Sequence, residues 1–428
     1  MQDKRLYKGY WWLPSRQEDQ VAGVLTIESN GRIVLELLGD FGLKNSGYKL
    51  EGDDAEVIHG CCYAPNNIFK KVSLFHCHAA ITHNFSSSFP LTRYTCRYAL
   101  IGILVESMDD TVFFEADVYI DELANWCPPE NIKTVYCKES LTLRINTTRS
   151  ESAVIDTAVL KDGTKLKLKK DVAYYTNYPK ISIEQSTCLV IHKASLSANA
   201  IISNAVMFEH MLSIAMLAYG VEHRKIIMRS EDSYQNLNDG GKFFHPIELV
   251  TYLYHSDCEQ NHASRDFLFY HKDIQGRFSD IIGRLYNEPK INPIWNNLII
   301  SLENKRVYST NDFLCVVQAL DGFSLRFREE KSFIKQLQDL RNEFSNIDKL
   351  TLSDEELKAT KGSRHYYSHI LKLEDKEKKK ALDGIELYHL TRKLKVLLIC
   401  CTLNFLGFDN KKINQLFNKC NNPILDIS

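Results

Sequence analysis

The hydrophobic period of this chain changes once, near Ser195, and that change restricts how it can fold. Up to about Thr187 apolar residues recur at every second position; from Ser195 the spacing moves toward the helical value. Period two builds half-buried strands, and a period of about 3.6 builds helices with one apolar stripe. A β-rich first part followed by a helical last part is therefore expected: an α+β chain with N-terminal antiparallel β-rich domain(s) and a C-terminal all-α bundle. At 428 residues the chain exceeds one ordinary core. The pattern divides it into a β-rich domain over 1–194, a mixed region over 195–294 and a helical domain over 295–428.

Residues 23–27, then Ser29-Asn30-Gly31, then 32–38 read as strand, tight turn and strand. Similar runs cover 71–77, 94–106, 112–120, 133–136, 141–145, 165–168 and 181–185. Short strands parted by turn residues predict an antiparallel sandwich or barrel. The lysine–leucine alternation over 165–169 predicts an edge strand with its lysines in water. Residues 197–217 read as a helix stopped by Gly220. Strands are expected at 225–229 and 247–255, with a mobile polar loop over 230–245 between them. One long amphipathic helix is expected from Phe313 to Leu340, a capped helix start at Ser353-Asp354-Glu355-Glu356, and further helices over 379–406 and 411–419.

A hydrophobic fraction of 44% with 25% charged residues excludes a disordered chain. The net charge of -1 argues against a protein coated in nucleic acid but leaves room for a small basic site. Twelve cysteines are scattered with no Cys-x2-Cys pair, which argues against a zinc ribbon. The first residues are charged and lead into no apolar signal core, and the longest apolar run, 396–406, is too short to span a bilayer. The expectation is a cytoplasmic protein with reduced thiols and no membrane partner.

One stretch carries chemistry: Lys361-Gly362-Ser363-Arg364-His365-Tyr366-Tyr367-Ser368-His369. Arginine supplies a permanent fork of donors for a phosphate, and histidine moves protons near neutral pH. Together they suit RNA cleavage without a metal, which requires an activated 2'-OH, a stabilised phosphorane and a protonated 5'-oxygen. Arg364 is assigned to phosphate, His369 to acid–base work, and His365 to orientation or the second proton transfer. Gly362-Ser363 reads as a break and an N-cap, so that a helix would open at Arg364 and present its N-terminus to an anion. Positions 364 and 369 lie about 140° apart on a helix, whereas 365 and 369 share a face. A dimer cleft, or a helix beginning just after Arg364, would reconcile the pair.

Around this stretch Tyr366 and Tyr367 could stack on bases, or one could pack inward and the other snorkel. Lys361 and Lys376 could meet an RNA backbone, as could Lys378–Lys380, Arg392, Lys393 and Lys395, against the alternative of a solvated helix face. Arg341-Asn342-Glu343-Phe344-Ser345-Asn346 imitates the motif but lacks its histidine and reads as a helix end. His76, His78 and His83, with Cys61-Cys62, suggest a metal, but hydrogen-bonded histidines are the commoner case, and the reading is no metal and no cofactor.

Tyr7-Lys8-Gly9-Tyr10-Trp11-Trp12-Leu13-Pro14, with Gly23-Val24-Leu25 and Leu35-Glu36-Leu37-Leu38-Gly39, resembles the start of the ApeA N-terminal domain. That family belongs to bacterial anti-phage, abortive-infection proteins. Phe208-Glu209-His210-Met211-Leu212-Ser213 and Gln318-Ala319-Leu320-Asp321-Gly322-Phe323 are similar to it as well. The helices around Arg364 and His369 resemble its HEPN ribonuclease domain, whose pattern is arginine, four to six residues, then histidine. ApeA-type members usually carry Asn where this chain has His365, a departure within the broader rule.

The resemblance implies a HEPN bundle that dimerises through its helices and joins two motifs in one composite cleft. It implies a metal-independent endoribonuclease that cuts host or phage RNA, with tRNA a candidate target. A phage-derived trigger and a sensing or restraining N-terminal region complete that expectation. Two rivals stand beside it: a catalytically silent HEPN-type module that binds RNA or protein, and a structural protein whose helices only dimerise.

Overall fold

A computed structural model describes residues 4–41, 54–64, 67–82, 91–129, 132–137, 142–147, 153–177, 180–251, 266–303, 309–328, 332–369 and 381–426. The chain divides into two compact units that interleave along the sequence. The first holds Met1–Tyr119, Leu189–Ala205 and His223–Asn261; the second holds Ile120–Cys188, Val206–Glu222 and His262–Ser428. An antiparallel β-rich N-terminal region followed by a helical C-terminal region is what the change of period requires.

Strands β1 (Arg5–Trp12), β2 (Val21–Ile27), β3 (Ile33–Leu38), β4 (Ala55–Tyr63), β5 (Phe69–Thr82) and β6 (Leu91–Ile101) form the centre of the first unit. They pair antiparallel in the order β5-β6-β3-β2-β1-β4, and β4 returns to β5, closing a six-stranded barrel. Closure leaves these strands no open edge. Inward residues such as Trp11, Leu25, Leu35, Leu74 and Ala99 are fully buried and fill the interior. Gly9 leaves no room for a side chain against β4: a Cβ there would lie 2.1 Å from the Cys61 carbonyl oxygen.

The β2–β3 hairpin is as expected, with Ile27 paired to Ile33. Its turn is longer than a two-residue Asn-Gly turn. Glu28 N–H donates to Arg32 O at 2.9 Å and Gly31 N–H to Glu28 O at 3.0 Å. Gly31 adopts φ +81°, the left-handed position that a turn followed by a bulge requires.

The chain continues through β7 (Phe113–Ile120), α1 (Leu123–Trp126), β8 (Ile132–Cys137), β9 (Thr142–Thr147), β10 (Val154–Val159), β11 (Lys165–Asn177) and β12 (Lys180–Leu196). Next come α2 (Ala198–Met216), β13 (His223–Ser230), β14 (Tyr234–Asn236), β15 (Lys242–Phe244) and β16 (Ile247–Thr251). In the first unit β16 pairs with β6 and β13, and β7 pairs with the end of β12, so the sheet extends beyond the barrel.

Three expectations need correction here. The strand expected over 94–106 stops at Ile101, because the next residues cross the outside of the barrel. There Val105 O bonds His59 Nε2 at 2.9 Å, and Val105 N–H donates to Ser73 Oγ at 2.9 Å. The segment 230–245 is no plain loop: β14 and β15 form a hairpin seated by Phe244 on Phe114, with ring centroids 4.8 Å apart. The strand β11 keeps Leu166 and Leu168 buried, as the alternation demands, but β10 and not β11 is the outer strand of its sheet.

In the second unit α3 (His271–Ile274), α4 (Phe278–Asn287), α5 (Asn292–Glu303), α6 (Thr310–Phe327), α7 (Phe333–Glu343), α8 (Asp354–His369), α9 (Gly384–Phe405) and α10 (Asn410–Lys419) follow in turn. The long helix expected from Phe313 to Leu340 is two. α6 ends at Phe327 and α7 restarts after Ser332 in extended conformation, so each buries its own apolar stripe. α9 is buried along most of its length from Leu387 to Leu403, which makes it the central rod of the helical part. No helix among the described residues is long and apolar enough to cross a membrane.

The centre of this part holds an ion pair. Lys395 Nζ on α9 lies 3.1 Å from Asp312 Oδ2 on α6 and donates to Ser301 O at 2.7 Å. Burial pulls the Lys395 ammonium down from its ordinary pKa and pushes the Asp312 carboxyl up. Asp312→Ala would leave a buried ammonium without its partner and is expected to cost about 3 kcal/mol in chemical denaturation. The double change Asp312→Leu/Lys395→Met should recover most of that loss in the same measurement.

Candidate functional site

The motif lies on α8, and the helix starts ten residues before Arg364, at Asp354. Ser353 Oγ accepts from Glu356 N–H at 3.2 Å, and Glu356 Oε2 accepts from Ser353 N–H at 2.8 Å, a reciprocal capping box. Three acids in the first turn favour this end electrostatically. The capped start expected at Ser353 is therefore where the helix begins.

The expected break at Gly362-Ser363 does not occur. α8 runs through both residues, because Ser363 is buried and its hydroxyl accepts from Leu382 N–H at 2.9 Å instead of capping its own helix. Arg364 thus stands in the body of a helix. The N-terminus of its own helix is ten residues away, so the free N–H groups of α8 are not the ones beside Arg364.

Arg364 instead has a built environment. Its Nη2 donates to Asp321 Oδ2 on α6 at 2.7 Å, and its guanidinium lies 4.4 Å from the ring centroid of Phe333 at the start of α7. Three helices therefore fix this side chain, which is about one-third exposed at 34%. A guanidinium has five N–H donors in a planar fork, so the Asp321 contact orients the fork without consuming it.

His365 is exposed one residue further on, and His369 is the last residue of α8. With the helix continuous through Arg364, positions 364 and 369 remain about 140° apart around its axis. Lys361 is exposed on the same helix. Lys376 lies outside the described residues, as do Lys378, Lys379, Lys380 and His83.

The two tyrosines differ. Tyr367 is committed to the interior: its hydroxyl donates to Leu382 O at 2.9 Å, and its ring meets Phe313 at 6.4 Å. Burial, with the Asp383 carboxylate nearby, pushes that hydroxyl up to about 12, so it remains a donor. Tyr366 is half-buried and stands edge-on to Tyr367 at 5.0 Å.

The basic residues of α9 turn out to be structural. Lys393 Nζ pairs with Glu356 Oε1 at 2.6 Å, Arg392 donates to the Pro423 and Asp426 carbonyls, and Lys395 is the buried partner of Asp312. They do not form a track for RNA. Arg341, in the imitation motif, pairs with Asp354 Oδ1 at 2.6 Å and ties the end of α7 to the start of α8.

In the barrel, His76 Nδ1 pairs with Glu56 at 2.9 Å and His78 Nδ1 with Asp54 at 3.0 Å, each histidine with its own carboxylate. Among the described residues no group of three or more His, Cys, Asp or Glu could hold a metal ion. Cys61, Cys62, Cys77, Cys96, Cys127, Cys188, Cys315, Cys400, Cys401 and Cys420 are free thiols.

Asp321 and Phe333 were not anticipated as parts of the site. The only signal for Asp321 was its place in the Gln318–Phe323 segment, 43 residues before Arg364 and with no spacing rule to connect them.

A β-barrel module followed by a helical bundle that fixes an arginine, with a histidine after four intervening residues, defines a class of two-part protein with a HEPN-like helical domain. Residues 6–285 match the model of ApeA N-terminal domain 1, and residues 314–412 match that of the Apea-like HEPN domain. The first match covers more than half of the chain, which belongs to the ApeA family, a group of anti-phage HEPN nucleases. No curated protein and no solved structure matches this chain.

Proposed function

We propose that this chain is a metal-independent endoribonuclease of the HEPN type that cuts RNA, with tRNA a candidate, in abortive defence against phage. The observation that supports this reading most is the seating of Arg364. Its guanidinium is held by a carboxylate and an aromatic face inside the segment that matches the HEPN model.

In the proposed reaction a histidine, assigned as His369, takes the proton of the 2'-OH. The 2'-oxygen attacks phosphorus, the bond from phosphorus to the 5'-oxygen breaks, and a second histidine returns a proton to that oxygen. The products are a 2',3'-cyclic phosphate and a 5'-OH. Arg364 holds the equatorial oxygens as their charge grows. His365 orients partners or supplies the second proton, and Tyr366 and Lys361 are the local contacts for RNA; Tyr367 is left out because its hydroxyl and ring are used internally. The angular separation of 364 and 369 favours a cleft to which two copies of the chain contribute, so a homodimer is expected in light scattering. A trigger from the phage and restraint by the barrel module belong to the same proposal.

Asp321 is a positioning residue in this scheme. Asp321→Ala is expected to lower kcat on RNA by about tenfold to a hundredfold, since a misplaced group loses that much without any loss of chemistry. Asp321→Asn should restore part of the rate, and KM should move little in either variant. A second reading, a silent HEPN-type module, draws on the same ion pair, in which the Asp321 carboxylate offsets the charge of Arg364. Equal RNA binding by the parent and by Arg364→Ala/His369→Ala, with cleavage by neither, would establish it.

A further inference from the structure

The outside of the barrel is covered unevenly. On one part, His59 and Ser73 lie buried beneath the segment around Val105, with Trp12 buried beside His59. On the neighbouring part of β1, β4 and β5 the same face is open. Lys8, Tyr63 and Phe69 are directly opposite one another in one cross-strand row, and Tyr10, Cys61 and Lys71 in the next. Strand neighbours are about 4.8 Å apart, so these six positions form one continuous patch.

Its three rings are unusually open for their size: Tyr10 is 58% exposed, Tyr63 55% and Phe69 51%. Tyr63 and Phe69 stand edge-to-face with centroids 5.7 Å apart, a geometry that keeps a ring face available. Lys8 and Lys71 are exposed at opposite corners of the patch. The carboxylate further along the first row, Glu36 on β3, is already bonded by Arg93 Nε at 3.0 Å.

We infer that this face is a stacking platform for single-stranded nucleic acid. Exposed rings bind bases through their faces irrespective of sequence, and interleaved lysines follow the phosphates. Aromatic rings are also enriched at protein interfaces, so protein contact is the alternative that the test below separates. The platform lies wholly within the barrel unit and does not depend on the ribonuclease reading.

The test is fluorescence anisotropy of full-length protein with labelled rU12 and dT12, in an Arg364→Ala background so that the RNA survives. Binding of either oligonucleotide is expected, and Tyr10→Ala/Tyr63→Ala/Phe69→Ala should weaken it by at least about a hundredfold. Lys8→Gln/Lys71→Gln should reduce the slope of log K against log salt by roughly 1.4, the value for two phosphate contacts on a single strand. Tyr63→Phe should bind like the parent. Circular dichroism of the triple variant should match the parent, since all three rings are on the surface. Absence of binding, or equal affinity in a folded triple variant, would overturn the inference. A triple variant that loses only its oligomeric state in light scattering would overturn it too, assigning the face to protein contact.

Discussion

Arg364→Ala is expected to reduce RNA cleavage by about 10²- to 10³-fold, the usual cost of removing one preorganised donor to a developing negative charge. The loss should fall on kcat more than on KM, because the guanidinium binds the phosphorane more strongly than the ground-state phosphate. Stability should change little by comparison: Arg364 is partly exposed, and Asp321, its carboxylate partner among the described residues, can be solvated when the arginine is gone. Arg364→Lys should recover only part of the rate, since a lysine has no planar fork and cannot both pair with Asp321 and hold a phosphate. His369→Ala should cost about 10²–10⁴. The double variant should be little worse than the poorer single variant, because groups that act in one step are not additive.

The second large effect concerns folding. Gly9→Ala would bring a methyl group within 2.1 Å of the Cys61 carbonyl and 2.5 Å of the Cys62 Cα, both of them backbone atoms. No rotamer can relieve such an overlap. The β1–β4 ladder would have to part, and with it the closure of the barrel, since β4 joins β1 to β5. The expected cost exceeds about 4 kcal/mol, in the range reserved for disrupted cores and strained backbones. It is read as a lost or much lowered unfolding transition of the barrel unit. An unchanged denaturation midpoint for Gly9→Ala would show that β1 and β4 are not packed as described.

Much of the fold was legible because its determinants are local. The β2–β3 hairpin, the capped start of α8 and the buried Leu166 and Leu168 each follow from a few adjacent residues. What could not be read depends on distant partners. Ser363 looks like a cap in isolation, and only Leu382, 19 residues later, shows that its hydroxyl is used elsewhere. The lysines and arginine of α9 look like an RNA track until Glu356, Asp312 and two terminal carbonyls are placed against them. The candidate site divides the same way. Arg364 and His369 are conspicuous by their spacing, whereas Asp321 and Phe333, which fix the arginine, reach it from other helices.

The central claim is that Arg364 and His369 cut RNA without a metal. Purified protein and its Arg364→Ala/His369→Ala variant should be incubated with total tRNA in EDTA, and the product ends analysed. Cleavage by the parent alone, leaving 2',3'-cyclic phosphate and 5'-OH ends, is the predicted result. Equal cleavage by both proteins, or cleavage that appears only when Mg²⁺ is added, would contradict it.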